Sequence, residues 1–284
     1  MSPSLDPHTL DLWLQTARDA AAAAAQVHRR WSGRIDIRSA DHKGFSDFVS
    51  RVDTESQDAA LEVIQRSHPD HLILAEEGEP EVTRIPAAGT PLWVVDPLDG
   101  TTNYLHGHPS HAASVAVTVD GKPLAACVHA AATGECWWAR AGGGSFRNGR
   151  PVRVSAPRGW EQSLVATGFM FRGANDLDAF TAQMGRVKAA GAGIRRCGAA
   201  ALDLCYVADG RYEGFWEHFL NPWDYAAGWL LVEEAGGVTG RMEGGRMELG
   251  AGSIMAANTA TTLQGLRELL EVAGVGGLET ELEP

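Results

Sequence analysis

Trp93-Val94-Val95-Asp96-Pro97-Leu98-Asp99-Gly100-Thr101-Thr102-Asn103-Tyr104 carries three apolar residues into two carboxylates and then into a Gly-Thr-Thr turn. The run Leu92 to Val95 predicts a buried strand. Pro97 has no N–H to donate and keeps Asp96 out of helical geometry, so the strand is expected to stop there. Both carboxylates then project from a strand end, the place where α/β proteins bind ligands. Gly100 lets the backbone turn sharply or approach a ligand closely. Thr101 and Thr102 can start a short helical turn whose free N–H groups suit an anion. Carboxylates for a hard cation beside donors for a phosphate suggest metal-assisted phosphate chemistry.

Plainer readings compete. Asp-Gly beside Pro is a common turn, and Asp99 can be no more than a turn former. The three-residue step from Asp96 to Asp99 breaks the alternate-position pattern of an EF-hand. Haloacid dehalogenase phosphatases also place Gly-Thr after an acidic strand end, but one residue separates their two Asp, so Asp96 matches their nucleophile poorly.

Working outward, Leu72-Ile73-Leu74 predicts a short strand that delivers Glu76-Glu77-Gly78. Alone, that acidic pair reads as a loop. A second strand delivering Asp96 and Asp99 gives it weight, because adjacent strands bring their end residues to one sheet edge. Upstream, Asp6-Pro7 opens an Ala-rich helix running to about Arg30. Residues 32 to 52 are irregular or extended and include Lys43, an ordinary loop charge by itself. Asp53 precedes a helical pattern and is by local criteria an N-cap. Glu79 to Gly89 is a loop.

Downstream, His106, His108 and His111 lie among Gly and Pro without a cysteine, which favours a site rim over zinc ligation. Residues 111 to 153 form an antiparallel meander punctuated by Asp120-Gly121, Thr133-Gly134, Gly142-Gly143-Gly144 and Asn148-Gly149. Beyond a boundary near 157, strands and helices alternate, dividing the chain into 1–157 and 158–284. Leu164-Val165-Ala166 is a strand and 176 to 190 a helix. Gly198 opens an Ala-rich helix, and Arg211 to Glu217 forms a strand. Asn221-Pro222 caps a helix to about Ala235, with Trp223, Ala226, Ala227, Leu230 and Leu231 on its packing side. A strand over Ile254 to Ala257 and a last helix precede an acidic tail from Gly274 that is expected to fray. Asp224, in the first turn of its helix, has a sufficient explanation in the helix dipole. Glu217 reads as a strand-end charge.

The chain has 284 residues, 44% of them hydrophobic, and a formal net charge of -12. That charge argues against a general nucleic-acid or anionic-membrane surface. It leaves room for an anionic small substrate if a bound metal reverses the local field. Four cysteines without C-x-x-C spacing predict buried thiols in a reducing compartment. No signal segment or membrane-length apolar run is seen, so a cytoplasmic location is expected.

Together these pieces resemble the inositol monophosphatase family. Trp93 to His106 resembles its first signature, and Trp223-Asp224-Tyr225-Ala226-Ala227-Gly228, continuing through Glu234-Ala235-Gly236-Gly237, its second. Ala75-Glu76-Glu77 resembles its acidic pair, and Lys43 with Asp47 to Asp53 resembles its loop before the second helix. The order and spacing match from about residue 40 to 240. The resemblance implies an α/β (α+β) fold of five αβαβα layers, usually a homodimer. It implies Mg²⁺-dependent, often lithium-sensitive hydrolysis of a phosphate monoester, with two or three ions. Glu76, Asp96 and the Leu98 carbonyl would hold the first ion; Asp96, Asp99 and Asp224 the second; a third would sit near Glu76. Thr101, polarised by Asp53, would orient the water, making Thr101, Asp53 and Glu76 the catalytic set. Gly100 and Thr101 amides would hold phosphate. Asp99, Gly198, Ala199, Ala200, Glu217 and Asp224 would face the sugar or cyclitol.

Departures from the pattern bear on substrate. Ala199 stands where relatives usually carry Ser or Thr. Gly168-Phe169-Met170-Phe171 gives no substrate signature. Gly-Thr-Thr-Asn points away from 3′-nucleotidase relatives. Trp223-Asp224 and Ala200-Ala201-Leu202-Asp203-Leu204 favour the inositol-type branch over the histidinol-phosphate one. The leading expectation is an inositol-1-phosphate phosphatase. Fructose-1,6-bisphosphate or another sugar phosphate is the alternative substrate, and a regulatory or binding protein retaining the fold is the alternative class.

Overall fold

The computed structural model describes residues 6–35, 41–44, 47–78, 86–169 and 177–270, excepting the side chains of 41–44 and 47–49. The Lys43 and Asp47 side chains, most of the Glu79-to-Gly89 loop, Met170 and Phe171, residue 176 and the tail from Gly274 lie outside them.

Helix α1 (Pro7–Trp31) starts at Pro7, whose missing N–H costs nothing at a first turn. Its buried stripe includes Ala17, Ala20, Ala21 and Ala24, small residues at helical spacing that permit close approach. Strands β1 (Asp41–Gly44) and β2 (Asp47–Val49) pair with each other. Helix α2 (Arg51–Ser67) packs beside α1. Then come β3 (Leu72–Ala75), β4 (Leu92–Asp99), the single turn α3 (Thr101–Leu105), and the meander β5 (Ala112–Val119), β6 (Lys122–Ala130), β7 (Glu135–Arg140), β8 (Gly144–Arg147) and β9 (Arg150–Val152). Strands β3 to β9 make one seven-stranded sheet in sequence order, parallel at β3–β4 and antiparallel elsewhere.

The remaining elements are β10 (Leu164–Thr167), α4 (Leu177–Ala189), β11 (Gly193–Arg195), α5 (Ala200–Ala208), β12 (Gly214–His218), α6 (Pro222–Glu234), β13 (Val238–Gly240), β14 (Ser253–Ala257) and α7 (Ala260–Leu270). Their five strands form a second mixed sheet in the order β11-β10-β12-β14-β13.

Three apolar interfaces stack these elements into five αβαβα layers. Trp13 and the α1 alanines meet Trp93, Val95, Val115 and Cys127 on the outer face of the large sheet. Leu202, Leu204, Tyr225 and Leu231 of α5 and α6 fill the space between Val94 and Trp137 of that sheet and Phe215 and Ile254 of the second. Val187 of α4 and Leu266 of α7 cover Trp216 and Met255 on the far face. Adjacent Trp137 and Trp138 serve opposite faces, as strand alternation requires. The central apolar cluster runs across residue 157.

Several local expectations are corrected. Strand β4 does not stop at Pro97 but continues to Asp99. The ladder with β5 shifts between Asp96↔Ser114 and Asp99↔Ala112, and pairing with β3 ends at Val95. Pro97 thus sits in an irregularity where no ladder N–H is called for. The α2 N-cap is Ser50, and Asp53 is the third residue of the helix, closing a capping box. The strand expected over Arg211 to Glu217 begins at Gly214, and the helix expected at Gly198 begins at Ala200. Helix α6 is buried along Tyr225 to Val232 on every side, because it lies between two sheets, while Trp223 is half-buried. Gly228 of α6 meets α5 so closely that a Cβ would lie 2.5 Å from Leu204 Cβ and 2.4 Å from its Cδ1. Gly228→Ala is therefore expected to destabilise the chain by about 1–3 kcal/mol through overpacking, read as a lower urea midpoint; an unchanged midpoint would show that the two helices separate freely.

One long-range bond ties α1 to the bend in β4. His28 Nε2 lies 2.8 Å from the Pro97 carbonyl, so that nitrogen carries the proton. Tyr104 Oη donates to the His28 carbonyl at 2.8 Å. His111 packs edge-on against both rings. His28 Nδ1 and His111 Nδ1 are buried without a hydrogen-bond partner. Burial, then the nearby His111, brings the His28 pKa down to about 3, against the opposing Pro97 bond. The neutral ring therefore stabilises the fold above the unfolded value of about 6.5, and that contribution is lost as pH falls toward 3. Replacement by Gln keeps a donor for Pro97 and removes the titration. The stability difference between the unaltered chain and His28→Gln should shift by about 2 kcal/mol in the variant's favour from pH 7 to pH 5. Urea titrations at the two pH values check this; a constant difference would mean that His28 protonates in place.

Candidate active site

Strand β3 runs parallel to β4 with Ala75 opposite Val95, so Glu76 emerges beside Asp96. Glu76 N–H donates to the Val95 carbonyl at 3.1 Å, fixing that position. Asp96 is 2% exposed, and its Oδ1 accepts the Leu98 N–H at 3.0 Å across Pro97. Burial raises the Asp96 pKa well above the carboxylate range, and Glu76, Asp99 and Asp224 add to the rise by repulsion. Four acids from β3, β4 and α6 are thus electrostatic neighbours, although Asp224 is 128 residues from Asp96.

Asp99 is anchored from the far side of the cleft. Its Oδ2 accepts the Ala201 N–H at 2.8 Å, in the first turn of α5. Burial still raises its pKa to about 7, with the Ala201 bond opposing and Glu76 adding. Asp224 Oδ2 accepts the Asn221 N–H at 2.7 Å, at the start of α6. Among the described residues, no group of three or more His, Cys, Asp or Glu side chains already stands in a metal-holding arrangement.

Thr101 joins this group to α2. Its Oγ1 lies 2.7 Å from Asp53 Oδ1 and 3.1 Å from the Leu98 carbonyl, one proton facing two acceptors. Asp53 is fully buried, and its Oδ2 accepts from Ser50 N at 2.8 Å and Ser50 Oγ at 2.6 Å. Burial raises its pKa, opposed by the Ser50 and Thr101 bonds.

Gly100 requires its residue type. Its φ is +84°, and a Cβ would lie 2.7 Å from the Ser110 carbonyl and 3.2 Å from the Gly198 carbonyl. Asn103 adds a bond across the same junction, with Nδ2 2.8 Å from the Cys197 carbonyl and 2.7 Å from that of Ser110. Gly198 and Ala199 therefore reach the Gly-Thr-Thr turn. Ala199 is the N-cap of α5 and makes no side-chain bond there.

The other wall is acidic too. Burial raises the Glu217 pKa well above normal, and Asp203, Asp224 and Asp99 add to it while Arg196 opposes. A Cβ on Gly168 would lie 1.8 Å from Glu217 Oε1, so the carboxylate occupies the space that the glycine leaves. Asp203 is 1% exposed with Oδ1 unpartnered; burial and then Asp99 raise its pKa, opposed by Arg196. The Arg196 guanidinium lies 4.9 Å from the Phe169 ring centre. Sequence reasoning assigned no role to Asp203, Arg196, Gly168 or Asn103. The Gly-Thr-Thr-Asn run contained Asn103, but its partners Cys197 and Gly198 lie over ninety residues away. His106 and His108 are exposed, whereas His111 is buried against His28 and Tyr104.

Comparison with known proteins agrees with this geometry. The model of the inositol monophosphatase family matches residues 9–273. A putative Nus factor SuhB of Neisseria meningitidis serogroup B is 41% identical over 255 residues, 90% of this chain and 97% of the relative. An inositol-1-monophosphatase of Rhizobium meliloti is 41% identical over 239 residues, covering 84% and 88%. The crystal structure of the extragenic suppressor protein SuhB from Bartonella henselae superposes with a TM-score of 0.82 at 34% identity, covering 94% of this chain and all of that one. The family is metal-dependent. With its five layers, its acidic strand ends and a match over nearly its whole length, the chain belongs to the inositol monophosphatase family.

Proposed function

We propose that this chain is a Mg²⁺-dependent phosphate monoester hydrolase, with inositol 1-phosphate as its leading substrate and a homodimer as its working form. The observation that carries the reading is the crowding at Asp96: Glu76, Asp99 and Asp224 all raise the pKa of this buried carboxylate. Such a set fits a hard divalent cation, because all its donors are oxygen and most of them are anionic. Glu76, Asp96 and the Leu98 carbonyl would hold one ion, and Asp96, Asp99 and Asp224 another, with room for a third near Glu76. When bound, Mg²⁺ supplies charge neutralisation and lowers the pKa of water.

The chain's own groups do the rest. Asp53 Oδ1 faces the Thr101 hydroxyl proton, which leaves the Thr101 oxygen as an acceptor able to orient water. The Gly100 and Thr101 amides, at the start of a helical turn, would suit phosphate oxygens. Glu217, with Gly198 to Ala200, borders the place for the alcohol part of the ester. Fructose 1,6-bisphosphate or another sugar phosphate remains the alternative on the same site. A regulatory role is the reading of another class, favoured by relatives that carry the name Nus factor SuhB.

Asp96→Asn is expected to cut turnover by at least about a thousandfold, roughly 4 kcal/mol of barrier, while circular dichroism stays unchanged. Turnover close to normal at saturating Mg²⁺ would remove Asp96 from the shared-ligand position. A panel of phosphate esters assayed with Mg²⁺ ranks the substrates. Absence of turnover for every ester in a folded, Mg²⁺-binding protein would favour the regulatory reading.

Metal binding itself has a pH signature. Raised carboxylate pKa values mean that protons compete with the cation, and binding must displace them. Mg²⁺ should therefore raise the melting temperature more at pH 8 than at pH 5.5, and Asp224→Ala should weaken the dependence on Mg²⁺ concentration. Equal shifts at both pH values would place the binding ions elsewhere on this acidic chain.

A further inference from the structure

On the outer face of the large sheet, away from the carboxylates, two thiols meet beneath α1. Cys127 of β6 and Cys136 of β7 have Sγ atoms 3.5 Å apart and no disulfide between them. The register pairs Cys127 with Trp138 and His129 with Cys136, so the thiols are diagonal neighbours on one face. Right-handed twist draws one diagonal of an antiparallel ladder together, and the short gap marks this diagonal as that one. Closing it to a bond of about 2.05 Å takes about 1.5 Å of side-chain movement.

The two sulfurs are not equivalent. Cys127 is fully buried against the α1 alanines, whereas Cys136 is half-buried one residue after the start of β7. The Arg18 charge favours the anion at both sulfurs. The contact between the two sulfurs, more than any other, lowers the Cys136 pKa and raises that of Cys127. A thiolate on the accessible sulfur beside a protonated buried partner is the arrangement of an attacking and a resolving cysteine. Among the described residues the other two cysteines show no thiol beside them: Cys205 is buried, and Cys197 Sγ lies 3.9 Å from the Tyr212 hydroxyl.

We propose that Cys127 and Cys136 form a reversible dithiol–disulfide site that reacts with low-molecular-weight disulfides through Cys136. The Cys136 thiolate attacks one sulfur of the oxidant, forming a mixed disulfide and releasing one thiolate. Cys127 gives up its proton, attacks Cys136 Sγ and displaces the second thiolate. The two protein sulfurs are oxidised to one disulfide, the oxidant is reduced to two thiols, and the proton from Cys127 and one from solvent end on those products. The closed bond staples β6 to β7 directly under α1.

The test uses the reduced full chain with oxidised glutathione, followed by intact mass and peptide mapping without reductant. The expected product has lost about 2 Da, links the Cys127 and Cys136 peptides, and reverts with dithiothreitol. Cys136 should be consumed at least about tenfold faster than Cys197. In Cys127→Ala, glutathione should remain on Cys136 as a stable adduct. A stable adduct on Cys136 in the unaltered chain would overturn the proposal. So would a linkage through Cys197 or Cys205, or faster reaction at Cys197. Neither metal nor phosphate ester enters the experiment, so its outcome is independent of the phosphatase reading.

Discussion

Repulsion among buried carboxylates is the constraint on which the rest of the structure turns. Asp96 lies in the core at the end of β4 with Glu76, Asp99 and Asp224 pressing on it. Each unneutralised charge in such a place opposes folding, and the pKa rises record that opposition. A chain can keep this arrangement only if its backbone is held by other means. Here β4 is fixed by pairing on both sides up to Val95, and its bend at Pro97 is fixed by the His28 bond from α1. Asp99 and Asp224 are fixed by backbone N–H groups at the starts of α5 and α6. The backbone bonds to Asp99 and Asp224 orient these acids without adding a charge of their own.

The same logic explains the stitching around Gly100. The acidic end of β4 belongs to the large sheet, but α5 and α6 belong to the layer between the sheets. Contact between them passes through a turn so tight that a side chain at residue 100 would strike two carbonyls. Asn103 then bridges carbonyls from both sides of that contact. A rigid junction matters because misplacement by about an ångström is enough to lose a large part of an oriented reaction's advantage.

Much of this was legible locally. The acidic strand ends, the meander and the helix opening at Asn221-Pro222 follow from apolar runs, turn residues and capping chemistry. The five-layer stack came from resemblance to a family, since periodicity does not say which faces meet. Pro97 misled because a proline stops a regular ladder but fits an irregular one. Asp53 misled because it carries N-cap chemistry, while Ser50, three residues earlier, holds the cap and leaves Asp53 one oxygen for Thr101. Strands β11 and β13 have three residues each, too few for an alternation to register. The partners of His28 and Asn103 are set by tertiary structure, and Gly168 matters through a side chain it lacks.

The acidic wall bears on which ester fits the proposed hydrolase. Glu217 rests in the space left by Gly168, and Asp203 lies behind it with one oxygen unpartnered. Arg196 offsets both acids and is held against the Phe169 ring, so its charge is already engaged within the wall. Carboxylates accept hydrogen bonds from hydroxyl groups and repel phosphate oxygens. On the reading proposed above, the phosphate would sit at the Gly100 turn and this wall would meet the hydroxyls of the alcohol part. Among the described residues, a second phosphate directed at Glu217 would meet two acids and an Arg196 charge already engaged. On that reading, electrostatics at the alcohol side would favour an inositol monophosphate over a sugar bisphosphate, even though Ala199 offers no hydroxyl of its own.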